Sequence, residues 1–131
     1  FAVPEVTLGT ICGAGGTQRL PRLIGETRAK EMIFTGREIT AETAREWGLV
    51  NGVFTAGSLL EETLNLADEI ARNSPYAVAR AKRSVNGGRE MLLEEALEWE
   101  RSLFGECGES RDRKEGMTAF LEKQPRIFTG E

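Results

Sequence analysis

The stretch Pro4-Glu5-Val6-Thr7-Leu8-Gly9-Thr10-Ile11-Cys12-Gly13-Ala14-Gly15-Gly16-Thr17-Gln18-Arg19-Leu20 carries the reading of the fold. Val3, Val6 and Thr7 around Pro4 suit a short strand or edge segment over residues 1–7, ending at turn-prone Gly9. Glycines at 13, 15 and 16 permit positive φ and close backbone approach, and Thr17 is the expected cap of a helix that breaks near residues 21–25, with a turn at Gly25 before the next helix. Spacing excludes two phosphate loops. A dinucleotide fingerprint needs a third glycine where Gln18 stands, and a Walker-type loop needs a lysine, yet none precedes Lys30. Two readings of the loop remain open: a plain glycine turn, or a helix amino terminus whose amides face an anion or enolate. Glu5 is the carboxylate beside it. Alone, such a glutamate reads as a solvated turn residue; in a closed apolar pocket, desolvation would favour its protonated form and suit a general acid. Cys12, with no His or Lys beside it, reads as a small packing residue.

Outward from this stretch the pattern is helical. Ala29, Met32 and Ile33 space a helix over residues 26–34 that stops at Thr35-Gly36, and Thr40 opens another toward Trp47-Gly48. Residues 49–54 read as a second short strand. Leu59, Leu60, Leu64, Ala67, Ile70 and Ala71 stripe an amphipathic helix ending before Pro75. Residues 76–85 form the next, broken by Asn86-Gly87-Gly88. A long helix striped by Leu92, Leu93, Ala96, Leu97, Trp99, Leu103 and Phe104 runs to Gly105, and a charged helix covers residues 111–122. Trp47 and Trp99 fall on apolar faces and read as core or interface. Arg111, Asp112, Arg113, Lys114 and Glu115 are mixed in sign and read as a solvated helix start. Two short strands make a marginal sheet, and the chain begins at Phe1 without Met, so a preceding amino-terminal portion is expected.

Composition narrows the chemistry. The chain has 131 residues, one domain's worth or part of one, with 40% apolar residues. It contains no His, which excludes Ser-His-Asp and Cys-His catalysis and His-containing zinc sites; no metal is expected. Lys and Arg number 17 against 21 Asp and Glu, and the net charge of -4 argues against a nucleic-acid partner. Two cysteines far apart in sequence imply reduced thiols in a cytosol-like compartment. No apolar run approaches the roughly 20 residues needed to span a bilayer, so neither membrane insertion nor a signal peptide is expected.

Taken together, the opening stretch closely resembles the signature of the enoyl-CoA hydratase (crotonase) family. The similarity continues through Phe34-Thr35-Gly36, Gly48-Leu49-Val50, Ala81-Lys82 and the segment from Asp112 through Glu115-Gly116-Met117-Thr118-Ala119-Phe120-Leu121-Glu122 to Lys123. What resembles the family is its carboxy-terminal half. The resemblance implies an α/β crotonase (ClpP/crotonase-like) fold, represented by its mostly helical carboxy-terminal part with two or three short strands. Residues 1–55 would then end the spiral core, with catalytic Glu5 and the glycine-rich loop, and residues 56–131 would form the helical trimerisation region.

The resemblance also implies an activity: syn addition of water to a 2-trans-enoyl-CoA, giving a 3-hydroxyacyl-CoA in fatty-acid β-oxidation or related acyl-CoA catabolism. Glu5 matches one of two catalytic glutamates, and Gly13 a position whose amide lies close to the reacting water and substrate. Phe120 and Lys123 match positions that reach the adenine and phosphate end of CoA, which belongs to the substrate; no separate cofactor is implied. The implied partners are an acyl-CoA thioester, the missing amino-terminal half, and further copies in a homotrimer or dimer of trimers. The implied location is cytoplasmic, or the mitochondrial matrix in a eukaryote. The other glutamate and the oxyanion hole belong to the missing half, so this chain alone is expected to be nearly inactive. Cys12 stands where the family commonly has Pro. Two alternatives remain: a sister activity such as an isomerase, and a non-catalytic oligomerisation module that exposes apolar surface.

Overall fold

A computed structural model describes residues 1–131. After a 3-10 helix at Pro4–Leu8 come α1 (Gly16–Ile24), α2 (Glu26–Thr35), α3 (Ala41–Glu46), α4 (Leu59–Ala71), α5 (Pro75–Gly88), α6 (Leu93–Gly108) and α7 (Arg111–Glu122). There is no β-strand. The chain divides into two units, Phe1–Leu60 and Glu61–Glu131.

Both expected strands are therefore corrected. At residues 1–7, Pro4 starts a 3-10 helix because its fixed φ and missing donor suit a first helical position. The Thr7 hydroxyl closes the turn by donating to Pro4 O at 2.7 Å, and Gly9, at φ 76, ends it. At residues 49–54 the backbone turns back onto α3 instead of seeking a partner strand, with Leu49 N donating to Ala44 O at 2.8 Å.

In the first unit, Leu20 and Ile24 of α1 meet Ala29, Met32 and Ile33 of α2, and Cys12 completes the buried cluster. Val3, Val6, Ile39, Trp47 and Leu49 pack around it, which gives Trp47 the core role its position suggested. Each buried Met or Ile side chain contributes roughly 1.5–3 kcal/mol here, so Met32→Ala would cost about 2–5 kcal/mol. Thr17 is not the cap of α1: the helix starts at Gly16 after Gly15, which supplies φ 86 where a side chain would be strained. The helix ends at Gly25, within the expected break at residues 21–25, and Pro21 lies inside it. Proline removes one donor, and the helix continues for less than one further turn to Gly25, whose N–H returns to Pro21 O.

In the second unit the glycines after Asn86 join α5 to α6 closely; they do not break α5. A Cβ on Gly87 would lie 3.0 Å from Trp99 Nε1, and the indole donates to Arg83 O at 3.4 Å. Trp99 thus packs on its neighbouring helix at a position where a side chain would crowd the indole. Helix α6 likewise passes Gly105 and ends at Gly108. Ser74 and Ser110 cap α5 and α7, accepting from Ala77 N and Arg113 N.

Candidate active site

Glu5 lies on the 3-10 helix, half-buried, and its Oε2 accepts a hydrogen bond from the Cys12 thiol at 3.5 Å. Cys12 is 6% exposed. Burial pushes its thiol pKa up, and the Glu5 carboxylate, through the hydrogen bond and its charge, pushes in the same direction. The group therefore stays a thiol donor at neutral pH and is more than the packing residue that its sequence neighbours suggest. It ties Glu5 to the glycine loop.

The loop's glycines differ in purpose. A Cβ on Gly16 would meet Cys12 Cβ at 2.8 Å, so only glycine lets the start of α1 lie against Cys12. Gly15 needs its left-handed φ, and a Cβ there would also strike the Arg19 guanidinium, which donates to Ala14 O. Gly13 needs neither: it is exposed, a Cβ would meet nothing within 4 Å, and its φ is not left-handed. Its N–H makes no hydrogen bond within the chain. Folding thus accounts for Gly15 and Gly16 but not for Gly13. Glu5 and Gly13 share one unit, joined through Cys12, which neighbours Gly13 in sequence and Glu5 in space.

Phe120 and Lys123 belong to the other unit and come together at the end of α7. With Leu121, Pro125 and Arg126 they line an open groove of ≈ 680 Å³. Phe120 is 79% exposed, an unusual state for a phenyl ring. Lys123 caps α7 at φ 53, the one non-glycine residue with positive φ. Sequence reading passed over Arg126, which adds a second cation to the groove, donates to Asn73 Oδ1 at 3.3 Å and stands 5.8 Å from the Phe128 ring. Its signal was a cation close after Lys123 in an otherwise polar tail. Asp112 is also corrected: it is no solvated residue but 2% exposed, and its carboxylate accepts from Ser74 Oγ at 2.6 Å.

The sequence matches the enoyl-CoA hydratase/isomerase family over residues 1–131. The chain belongs to that family. It is 48% identical over 128 residues to the mitochondrial enoyl-CoA hydratase of Pongo abelii, covering 98% of this chain and 44% of that protein. It is 44% identical over 130 residues to the 2,3-dehydroadipyl-CoA hydratase of Escherichia coli K12, covering 99% of this chain and 51% of that one. Among solved structures, an enoyl-CoA hydratase from Bacillus anthracis superposes with a TM-score of 0.92 at 45% identity, over 98% of this chain and 50% of its own. A Geobacillus kaustophilus relative gives 0.94 at 44% identity, over 99% and 49%. The fold is thus the crotonase fold, in a mostly helical part. This family member spans about half the length of these relatives. None of its helices is long and apolar enough to cross a membrane.

Proposed function

We propose that this chain is the carboxy-terminal half of an enoyl-CoA hydratase that adds water syn across the double bond of a 2-trans-enoyl-CoA. A glutamate from the amino-terminal half takes a proton from water as the hydroxyl oxygen bonds to the β-carbon. The resulting thioester enolate is stabilised by backbone amides of that same half, and Glu5, entering the step as the carboxylic acid, gives its proton to the α-carbon and leaves as the carboxylate. Two carboxyl groups are needed because the addition takes a base for water and an acid for carbon, held on one face of the substrate. The observation that carries this reading is the Glu5 carboxylate held by the Cys12 thiol beside Gly13, whose N–H has no partner in the chain. That arrangement leaves an oriented proton carrier and an amide donor for the reacting water and thioester. Phe120, with Lys123 in the groove, supplies a stacking face for adenine and a cation for phosphate.

Within this reading the chain alone is nearly inactive, since enolate stabilisation is the largest contribution to such catalysis and lies outside it. The working enzyme is a homotrimer or dimer of trimers, located in the cytoplasm or, in a eukaryote, the mitochondrial matrix. Exposed Leu64, Leu66 and Ile70 on α4 and Phe104 on α6 support burial against further chain, whether the amino-terminal half or other copies. The test uses the full-length protein, expected at about twice the 14.4 kDa of this chain. Hydration of crotonyl-CoA is followed by loss of the enoyl-thioester absorbance. Glu5→Gln should lower kcat by about a thousandfold, in the range for loss of one general acid. Undiminished hydration by that variant would remove Glu5 from the chemistry.

A further inference from the structure

After α7 the chain reverses at Lys123 and runs back along the same helix. Gln124 N donates to Ala119 O at 2.9 Å, Ile127 N to Glu115 Oε1 at 3.2 Å, and Thr129 N and Gly130 N to Asp112 Oδ1 at 2.8 and 3.1 Å. The Phe128 ring lies where Gly116 has no side chain, 3.3 Å from the Cβ position. Asp112, Glu115, Gly116 and Ala119 fall on one face of α7, so the tail follows a single stripe of the helix. Asp112 is its far anchor. Besides the two tail amides, its Oδ2 accepts from the Ser74 hydroxyl, which also caps α5 by accepting from Ala77 N at 3.0 Å. Backbone Asp112 N in turn donates to Glu131 O at 3.0 Å.

The near end of the same tail forms one wall of the groove. Lys123 is the reversal itself, its N–H bonded to Ala119 O and Phe120 O, whereas Pro125 and Arg126 sit between it and the anchor, so the placement of Arg126 depends on both ends being held. Lys123 occupies a left-handed conformation that glycine adopts without strain, so a side chain at this turn carries a backbone cost.

We propose that Asp112 is a positioning residue for substrate binding: by clamping the folded-back tail it holds the Arg126 cation beside Lys123 at the groove for the phosphates of the substrate's nucleotide end. This rests on the reading that the groove takes the nucleotide portion of CoA. An unclamped tail would still carry both charges but would have to be ordered on each binding event, which weakens affinity.

The experiment measures KM and kcat of the full-length protein with crotonyl-CoA and with crotonyl-pantetheine, which lacks the nucleotide. Arg126→Ala and Lys123→Ala test the groove; Asp112→Asn and a truncation after Arg126, which removes the clamped segment and keeps both cations, test the clamp. All four should raise KM for crotonyl-CoA about fivefold, the effect of losing one solvent-exposed phosphate contact, with kcat within about twofold and no change for crotonyl-pantetheine. Amide exchange at Thr129 and Gly130 should quicken in Asp112→Asn. If the two groove variants raise KM and neither clamp variant does, the clamp proposal is wrong and the groove reading stands. If none of the four separates the two substrates, the groove reading itself fails, and the clamp proposal with it. Equal losses on both substrates in the clamp variants would make Asp112 a residue of general stability and overturn the positioning role.

Discussion

Replacing Gly36 by Ala should strain the support beneath Glu5 in a way that a second substitution relieves. Gly36 caps α2 at φ 63, and a Cβ built there would lie 2.8 Å from Thr7 Cγ2, on the 3-10 helix that carries Glu5. Ordinary carbon contacts begin near 3.4 Å, so the 3-10 helix or α2 must move by about half an ångström, an overpacking cost of about 1–3 kcal/mol. The left-handed backbone adds about 1 kcal/mol for any residue with a Cβ. Rotating Thr7 away gives no escape without breaking its 2.7 Å bond to Pro4 O, itself worth about 1 kcal/mol. Gly36→Ala should therefore destabilise by about 2–4 kcal/mol. Thr7→Ser removes the offending methyl, keeps the hydroxyl, and should cost no more than about 0.5 kcal/mol at this exposed site. The double variant should retain only the backbone strain, which gives a coupling energy of about 1–3 kcal/mol. Denaturant unfolding of the four full-length proteins measures the cycle, and kcat for crotonyl-CoA should fall in Gly36→Ala and recover in the double variant. Additive stabilities would show that the 3-10 helix is not seated on Gly36 as described.

Further expectations concern both units. Cys12→Ala should lower kcat because the Glu5 carboxylate loses its donor, whereas Cys12→Ser, which can still donate, should recover part of it; equal activity in all three proteins would make the thiol contact idle. With its thiol buried and its pKa raised, Cys12 should react with maleimide at neutral pH far more slowly than free glutathione, as read by peptide mass spectrometry; comparable rates would contradict the burial. For Asp112, burial raises the carboxyl pKa, but hydrogen bonds from Ser74, Thr129 and Gly130 outweigh it and leave the pKa below its ordinary 3.8. The clamp's contribution to stability is thus complete above about pH 4 and disappears as pH falls through the lower folded-state value, so tail amide exchange should accelerate there in the native protein and be less acid-dependent in Asp112→Asn. Lys123→Gly should raise stability by about 1 kcal/mol by relieving the left-handed strain while weakening crotonyl-CoA binding; a stability loss would mean the Lys123 side chain packs in its own right.

Local chemistry made most of the helices legible. Ala29, Met32 and Ile33 at helical spacing named the buried face of α2, and Thr40 capped α3 by accepting from Thr43 N as its residue type suggests. Glu5 and the glycine loop could be singled out because a carboxylate beside such a loop, followed by Gly-Ala-Gly-Gly-Thr-Gln-Arg-Leu, is a specific string. Glycine misled in two directions. Asn86-Gly87-Gly88 looked like a break but is a point of contact between α5 and α6, and Gly13, which shares a motif with Gly15 and Gly16, is not needed for the turn. The valines around Pro4 suggested a strand because alternation in so short a segment cannot be told from a proline-started 3-10 turn when no pairing partner is present.

By itself, then, the sequence determined which segments are helical, which family signature they carry, and that these residues supply no histidine. Those properties depend on neighbours along the chain and on composition. Only the tertiary structure decided that Cys12 faces Glu5, that Asp112 is buried under a returning tail, and that Phe120, Lys123 and Arg126 share one groove. The first two join residues 7 and 17 positions apart, as the chain satisfies buried polar groups, and the third depends on where the tail turns after α7, which no local pattern records.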